Sequence, residues 1–216
     1  DSNAKAMLLM HTEPRDPNGQ DLQAIINELG LVNKEVLLST QKVPPDGLSQ
    51  IYSAADCTIN ISDAEGFGLA TFESMACETP VIVTMTGGLQ EQVTYIERVS
   101  QDIMLRRNKK SKPVTEYAHG IGLEPSSKAV IGSQDVPFIY EDRLSSEQVS
   151  GALMKMYEYG PEKRLELGQA GRKHVQENYN FEKFASKWEK ILTNIHERCG
   201  SWDTRKEYKS WELISV

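Results

Sequence analysis

Four short apolar runs punctuate the first third of the chain: Ala6-Met7-Leu8-Leu9-Met10, Val36-Leu37-Leu38-Ser39, Cys57-Thr58-Ile59-Asn60-Ile61 and Val81-Ile82-Val83-Thr84. Three of the four are nearly continuous in hydrophobicity rather than alternating, which is the pattern of strands covered on both faces by helices. Helix-like segments lie between them. Asp21 to Leu29 carries Leu22, Ile25, Ile26 and Leu29 at helical spacing, and Gly30 follows as a stop. Pro45-Asp46-Gly47 opens a second helix with Leu48, Ile51 and Tyr52 on one face, and Gly68 to Cys77 forms a third. Pro80 begins the fourth strand, where a missing N–H costs little. Strand and helix alternate, which predicts an α/β fold with a doubly wound parallel sheet. Ligands of such sheets bind beyond the carboxyl ends of the strands.

From Thr94 to Val136 the pattern fades into scattered Gly, Pro and Ser around a basic run, Arg106-Arg107-Asn108-Lys109-Lys110-Ser111-Lys112. This stretch, about 94–136, reads as a long insertion or loop, followed by a short strand near Pro137-Phe138-Ile139-Tyr140. The last third reads as helical. Ser145-x-x-Gln148 is a capping box ahead of Val149, Leu153 and Tyr157. Gly160-Pro161 breaks that helix and starts the next. Asn180 caps a third, whose apolar stripe is Phe181, Phe184, Trp188, Ile191 and Leu192. The tail from Cys199 holds Trp202, Tyr208 and Trp211 without a clear period.

Composition narrows the function classes. The 216 residues carry a net charge of −7, whereas nucleic-acid binding needs a basic face. No apolar run reaches the roughly 18 to 20 residues that span a bilayer. The three cysteines (Cys57, Cys77 and Cys199) lack metal-ligand spacing and read as reduced thiols, which points to a cytoplasmic protein.

The chemistry concentrates between Asp63 and Val83, where a predicted strand runs through a loop into a helix. Gly66 and Gly68 let the backbone turn tightly and approach a ligand. The helix beginning near Gly68 aims free N–H groups and its positive dipole end outward, a ready site for a diphosphate. Glu65 stands in the loop and Glu73 in the second helical turn, about 7.5 Å along the axis from Gly68. That rise matches the reach from a diphosphate to a ribose. A carboxylate has two acceptor oxygens for two adjacent hydroxyls. Glu73 is thereby placed for the ribose and Glu65 for a sugar beyond the phosphates.

Glutamate, seven residues, glutamate, with Gly-Phe-Gly after the first and Met-Ala-x-x-x-Pro-Val after the second, is similar to the donor site of retaining glycosyltransferases of family 4, which have the GT-B fold. Ile51-Tyr52-Ser53-Ala54-Ala55-Asp56, Gly87-Gly88-x-x-Glu91 and Tyr179-Asn180-Phe181-Glu182 also resemble that family. The resemblance covers roughly Ala6 to Val93 and Ser145 to Ile195. It implies a Rossmann-like GT-B C-terminal domain with a helical end, over residues 1–198, and a tail over 199–216. It further implies that Glu65 acts at the donor sugar, as the catalytic candidate. The backbone of Gly66, Phe67, Gly68 and Leu69 would hold sugar and phosphate, Glu73 the ribose, and Lys42 and Val43 the base. Transfer in this family retains configuration and needs no metal or other cofactor; the nucleotide-diphospho-sugar is itself the substrate.

The chain departs from the family pattern in places. The Arg and Lys that neutralise the diphosphate have no counterpart, the acceptor domain is absent, and the usual Val-x-Asp-Gly link after Glu91 is replaced by the long insertion. The expectation is therefore the donor half of a two-domain enzyme, partnered by an N-terminal acceptor domain and acting on a saccharide, lipid or protein acceptor. Two alternatives are a nucleotide-sugar binding module without activity of its own and a GT-B sugar-nucleotide epimerase. A dinucleotide oxidoreductase is disfavoured, because His11-Thr12-Glu13-Pro14 stands where its Gly-x-Gly-x-x-Gly would be. For the run Arg106–Lys112 a solvated loop competes with contact to an acceptor, a phosphate or a membrane surface. His11 ends the first strand at the side where ligands bind and reads as a structural loop histidine, and His119, His174 and His196 read as structural or solvent-facing. Glu91 is placed between a helix-terminus charge and a site residue, and Trp202 and Trp211 between tail packing and docking on the other domain.

Overall fold

The computed structural model describes residues 6–17, 19–93, 114–117, 119–201 and 203–206. The chain divides into two compact units, Asp1–Leu48 and Ser49–Val216.

In the first unit, β1 (Leu8–His11) and β2 (Val36–Ser39) pair in parallel, with Leu8 opposite Val36 and His11 opposite Ser39. Between them runs α1 (Leu22–Glu28), capped by Asp21, whose carboxylate accepts from the Ala24 N–H at 3.0 Å. His11 Nδ1 and Ser39 Oγ lie 2.9 Å apart and tie the two strand ends together. α2 (Pro45–Ala54) leads out of this unit, with proline at its first position, where the N–H would be unused.

The second unit is built on a four-stranded sheet in the order β3 (Thr58–Asn60), β4 (Val81–Thr84), β6 (Gly120–Leu123), β5 (Val114–Tyr117). β3, β4 and β6 are parallel, and β5 runs antiparallel to β6. The continuous apolar run of β4 has a direct cause. Val81 and Val83 point into one cluster with Met75, Leu89, Val93 and Val175. Ile82 points to the opposite face, into a cluster with Ile121, Leu123, Ala152, Met156 and Leu167. A strand buried on both faces has no polar side to alternate with. Helices α3 (Leu69–Ala76), α4 (Leu89–Val93), α5 (Ser146–Glu158) and α6 (Gly160–Asn178) supply these residues. The α/β class with parallel strands expected from the sequence is the one observed.

Two expectations change. The stretch read as a loop over about 94–136 contains β5 and β6, and β6 is fully buried beside β4. Its sequence, Gly-Ile-Gly-Leu, offers only two side chains to a hydropathy pattern, which is why it reads as irregular. β7 (Ser127–Ile131) pairs antiparallel with β8 (Ile139–Arg143), so the short strand expected at 137–140 is the second arm of a hairpin. The basic run 106–112, Trp202, Tyr208 and Trp211 lie outside the described residues.

The helical end follows the sequence closely. Ser145 and Gln148 form the reciprocal capping box. Asn180 caps α7 (Phe181–Cys199) by accepting from the Lys183 N–H at 3.2 Å. No residue of α7 is buried. Its stripe of Phe181, Phe184, Trp188, Ile191, Leu192 and Ile195 is exposed.

Candidate functional site

The loop after β3 enters α3 through Gly68, which sits in the left-handed region at φ 86° and ψ 62° and carries no side-chain cap. A side-chain cap would occupy the first N–H groups of the helix; here the only residue type that adopts this conformation cheaply leaves them open. α3 is fastened to the sheet beneath it. Ser74 Oγ donates to Thr58 Oγ1 at 2.8 Å, and Asn60 Nδ2 donates to Thr71 Oγ1 at 3.2 Å. Asn60 Oδ1 in turn accepts from the Ser62 N–H and hydroxyl, so β3, the loop and α3 are locked together.

The other side of the loop rests on the Gly87-Gly88 turn and α4. The Gly88 N–H donates to the Gly66 carbonyl at 3.0 Å. A Cβ on Gly87 would lie 1.7 Å from the Glu65 carbonyl oxygen. The two separated motifs, Glu65 to Glu73 and Gly87 to Glu91, are thus one packed unit. Gln92 Nε2 donates to the carbonyls of both Phe67 and Gly68.

Glu73 is half-buried in the second turn of α3, and the Tyr52 hydroxyl donates to its Oε2 at 3.0 Å. Burial first, then this hydrogen bond and the carboxylate charge, raise the Tyr52 pKa well above that of a free phenol, so tyrosine holds its proton and the carboxylate its position. Among the described residues, the second oxygen of Glu73 and the carboxylate of Glu65 make no hydrogen bond or ion pair. Tyr179, from the distant Tyr-Asn-Phe-Glu motif, packs edge-on against Phe67 and Phe72 with ring centroids 5.6 and 5.0 Å away. Burial, then the nearby Glu91, raises the Tyr179 pKa.

Glu65, Gly66, Phe67, Gly68, Leu69 and Glu73 therefore share one loop and helix end. Lys42, exposed, and Val43, half-buried, lie after β2 in the first unit. Sequence reasoning missed Gln92 and the Tyr52–Glu73 pair, although Tyr52 stood in a motif already noted. Cys57 is held inert by burial, which pushes its thiol up to about 11. Among the described residues, no three His, Cys, Asp or Glu side chains are grouped as a metal would require. No described helix is long and apolar enough to cross a membrane.

Residues 16–98, which include this loop and helix, match the family model described as Glycosyl transferases group 1. Among curated relatives, a D-inositol 3-phosphate glycosyltransferase of Acidothermus cellulolyticus is 38% identical over 79 residues, 37% of this chain and 17% of that protein. An uncharacterized glycosyltransferase of Methanocaldococcus jannaschii is 34% identical over 93 residues, 43% of this chain and 22% of that protein. The matched stretches thus span about a fifth of these relatives' lengths. Among solved structures, sucrose-phosphate synthase from Thermosynechococcus elongatus superposes with a TM-score of 0.55 at 22% identity, covering 89% of this chain and 39% of that one. That likeness is one of fold, of the GT-B type.

Proposed function

We propose that this chain is the donor-binding part of a glycosyltransferase, and that it binds a nucleotide-diphospho-sugar at the N-terminus of α3. The observation that carries the reading is the uncapped start of α3 behind left-handed Gly68, with Glu65 before it and Glu73 one turn beyond it. An uncapped helix start attracts an anion through its N–H groups and dipole. In this assignment the backbone from Gly66 to Leu69 takes the phosphates, the unoccupied oxygen of Glu73 takes a ribose hydroxyl, and Glu65 faces the transferred sugar. The relatives' shared description as glycosyltransferases supports it. By the same resemblance, transfer proceeds with retention and without a metal ion. An acceptor domain completes the enzyme, and the exposed apolar stripe of α7 is the surface such a domain would cover.

The ribose assignment has a calorimetric test. Titration with UDP-, GDP- and ADP-sugars should show binding of at least one by the wild type. Glu73→Ala should weaken that ligand roughly 10- to 100-fold, the loss expected for a hydrogen bond to a charged group. Tight binding untouched by the substitution would rule out the ribose role.

A further inference from the structure

We infer that Gln92 is a positioning residue of the donor site: its side-chain amide clamps the loop so that a row of backbone N–H groups faces the diphosphate. The inference rests on the donor-site reading above and adds a residue to it. Gln92 lies in α4 with no exposed surface. Its Nε2 donates to the carbonyl oxygens of Phe67 and Gly68, and the Gly88 N–H donates to that of Gly66. Three successive carbonyls are therefore held toward α4. In a trans peptide the N–H points opposite to the C=O, so the N–H groups of Phe67, Gly68 and Leu69 are turned away from α4. Among the described residues, none of those three donates a hydrogen bond. The left-handed Gly68 between them gives the alternation of backbone conformations from which anion-binding nests are made.

The rest of the amide points to the same role. Gln92 Oε1 is buried without a partner among the described residues. An apolar side chain of similar length would fill the space without that orphaned acceptor; what it would lack is the pair of donors. The Gln92 backbone is itself fixed, because its carbonyl accepts from His119 Nδ1 at 3.0 Å. The clamp therefore reaches the loop from an anchored base, and Leu89 of the same helix lies against Gly68.

The role separates phosphate affinity from nucleoside affinity. UDP, GDP and ADP would be titrated calorimetrically, and uridine, guanosine and adenosine by NMR, against the wild type, Gln92→Met and Gln92→Glu. Met keeps the length and removes the donors. Glu keeps the shape and sets a carboxylate against two carbonyl oxygens, which covers the case in which the Met variant does not fold. The expected result is a diphosphate affinity lowered tenfold or more in the folded variants, with affinity for the matching nucleoside unchanged. Equal loss for both ligands would show a merely structural residue and overturn the inference, as would unchanged diphosphate binding. A wild type that binds none of the diphosphates would instead overturn the donor-site reading itself.

Discussion

Replacing Gly87 with alanine is expected to lower stability by roughly 2–5 kcal/mol and to remove the proposed nucleotide-sugar binding even where the protein stays folded. Two penalties combine. The residue has φ 47°, where a Cβ is strained. That Cβ would also stand 1.7 Å from the Glu65 carbonyl oxygen, with the carbonyl carbon 2.8 Å away. The obstacle is backbone, so no side-chain rotation relieves it, and the 65–68 loop must move off the turn. Such a loss is a large part of a typical total stability of about 5–15 kcal/mol. Thermal unfolding and calorimetry on the same sample check both halves. A variant with wild-type melting and wild-type affinity would mean that the loop does not depend on this contact.

Acid should destabilise the protein before its carboxylates titrate. His119 and His174 are both buried and stack with ring centroids 4.6 Å apart. His119 Nδ1 faces a carbonyl, which can only accept, so that nitrogen carries the proton. Asn178 Nδ2 donates both to the His174 carbonyl and to His174 Nδ1, so that nitrogen offers a lone pair. The pair is built for two neutral rings. Burial, then the neighbouring His119, pushes the His174 pKa down to about 4, and burial also lowers that of His119. Below about pH 6.5 the unfolded chain takes up protons that the folded chain refuses, so stability is complete above 6.5 and falls toward pH 4. Allowing for solvent screening, His174 alone should remove roughly 1 kcal/mol between pH 6.5 and 5. Urea denaturation across that range should show the decline in the wild type and a much flatter profile in His174→Phe. An equal decline in both would locate the sensitivity elsewhere.

The local features were legible in the sequence, and the tertiary pairings were not. The helix behind Gly68, the caps at Ser145 and Asn180, and the stripe of α7 each follow from residues within one or two turns of each other. So does the Glu65–Glu73 spacing, because a loop and a helix start lie on one short stretch. Gln92, by contrast, acts on carbonyls 24 and 25 residues away, and Tyr52 on a carboxylate 21 residues away. Nothing in a local period reports such reach. Gln92 even occupies a buried helical position where an apolar residue would be expected. β6 was hidden for a different reason: half of its residues are glycines, and strand patterning is carried by side chains. The sequence alone is compatible with structural or solvent-facing roles for His119 and His174, and their burial emerges only when β6 and α6 come together.

The central claim, that the open start of α3 binds a nucleotide sugar, is tested most directly by a crystal structure of the chain soaked with UDP-, GDP- and ADP-sugars. Diphosphate density is expected against the N–H groups from Phe67 to Leu69, with a ribose hydroxyl on Glu73 and the sugar beside Glu65. Density for the nucleotide sugar bound elsewhere on the chain, with this loop empty, would contradict it.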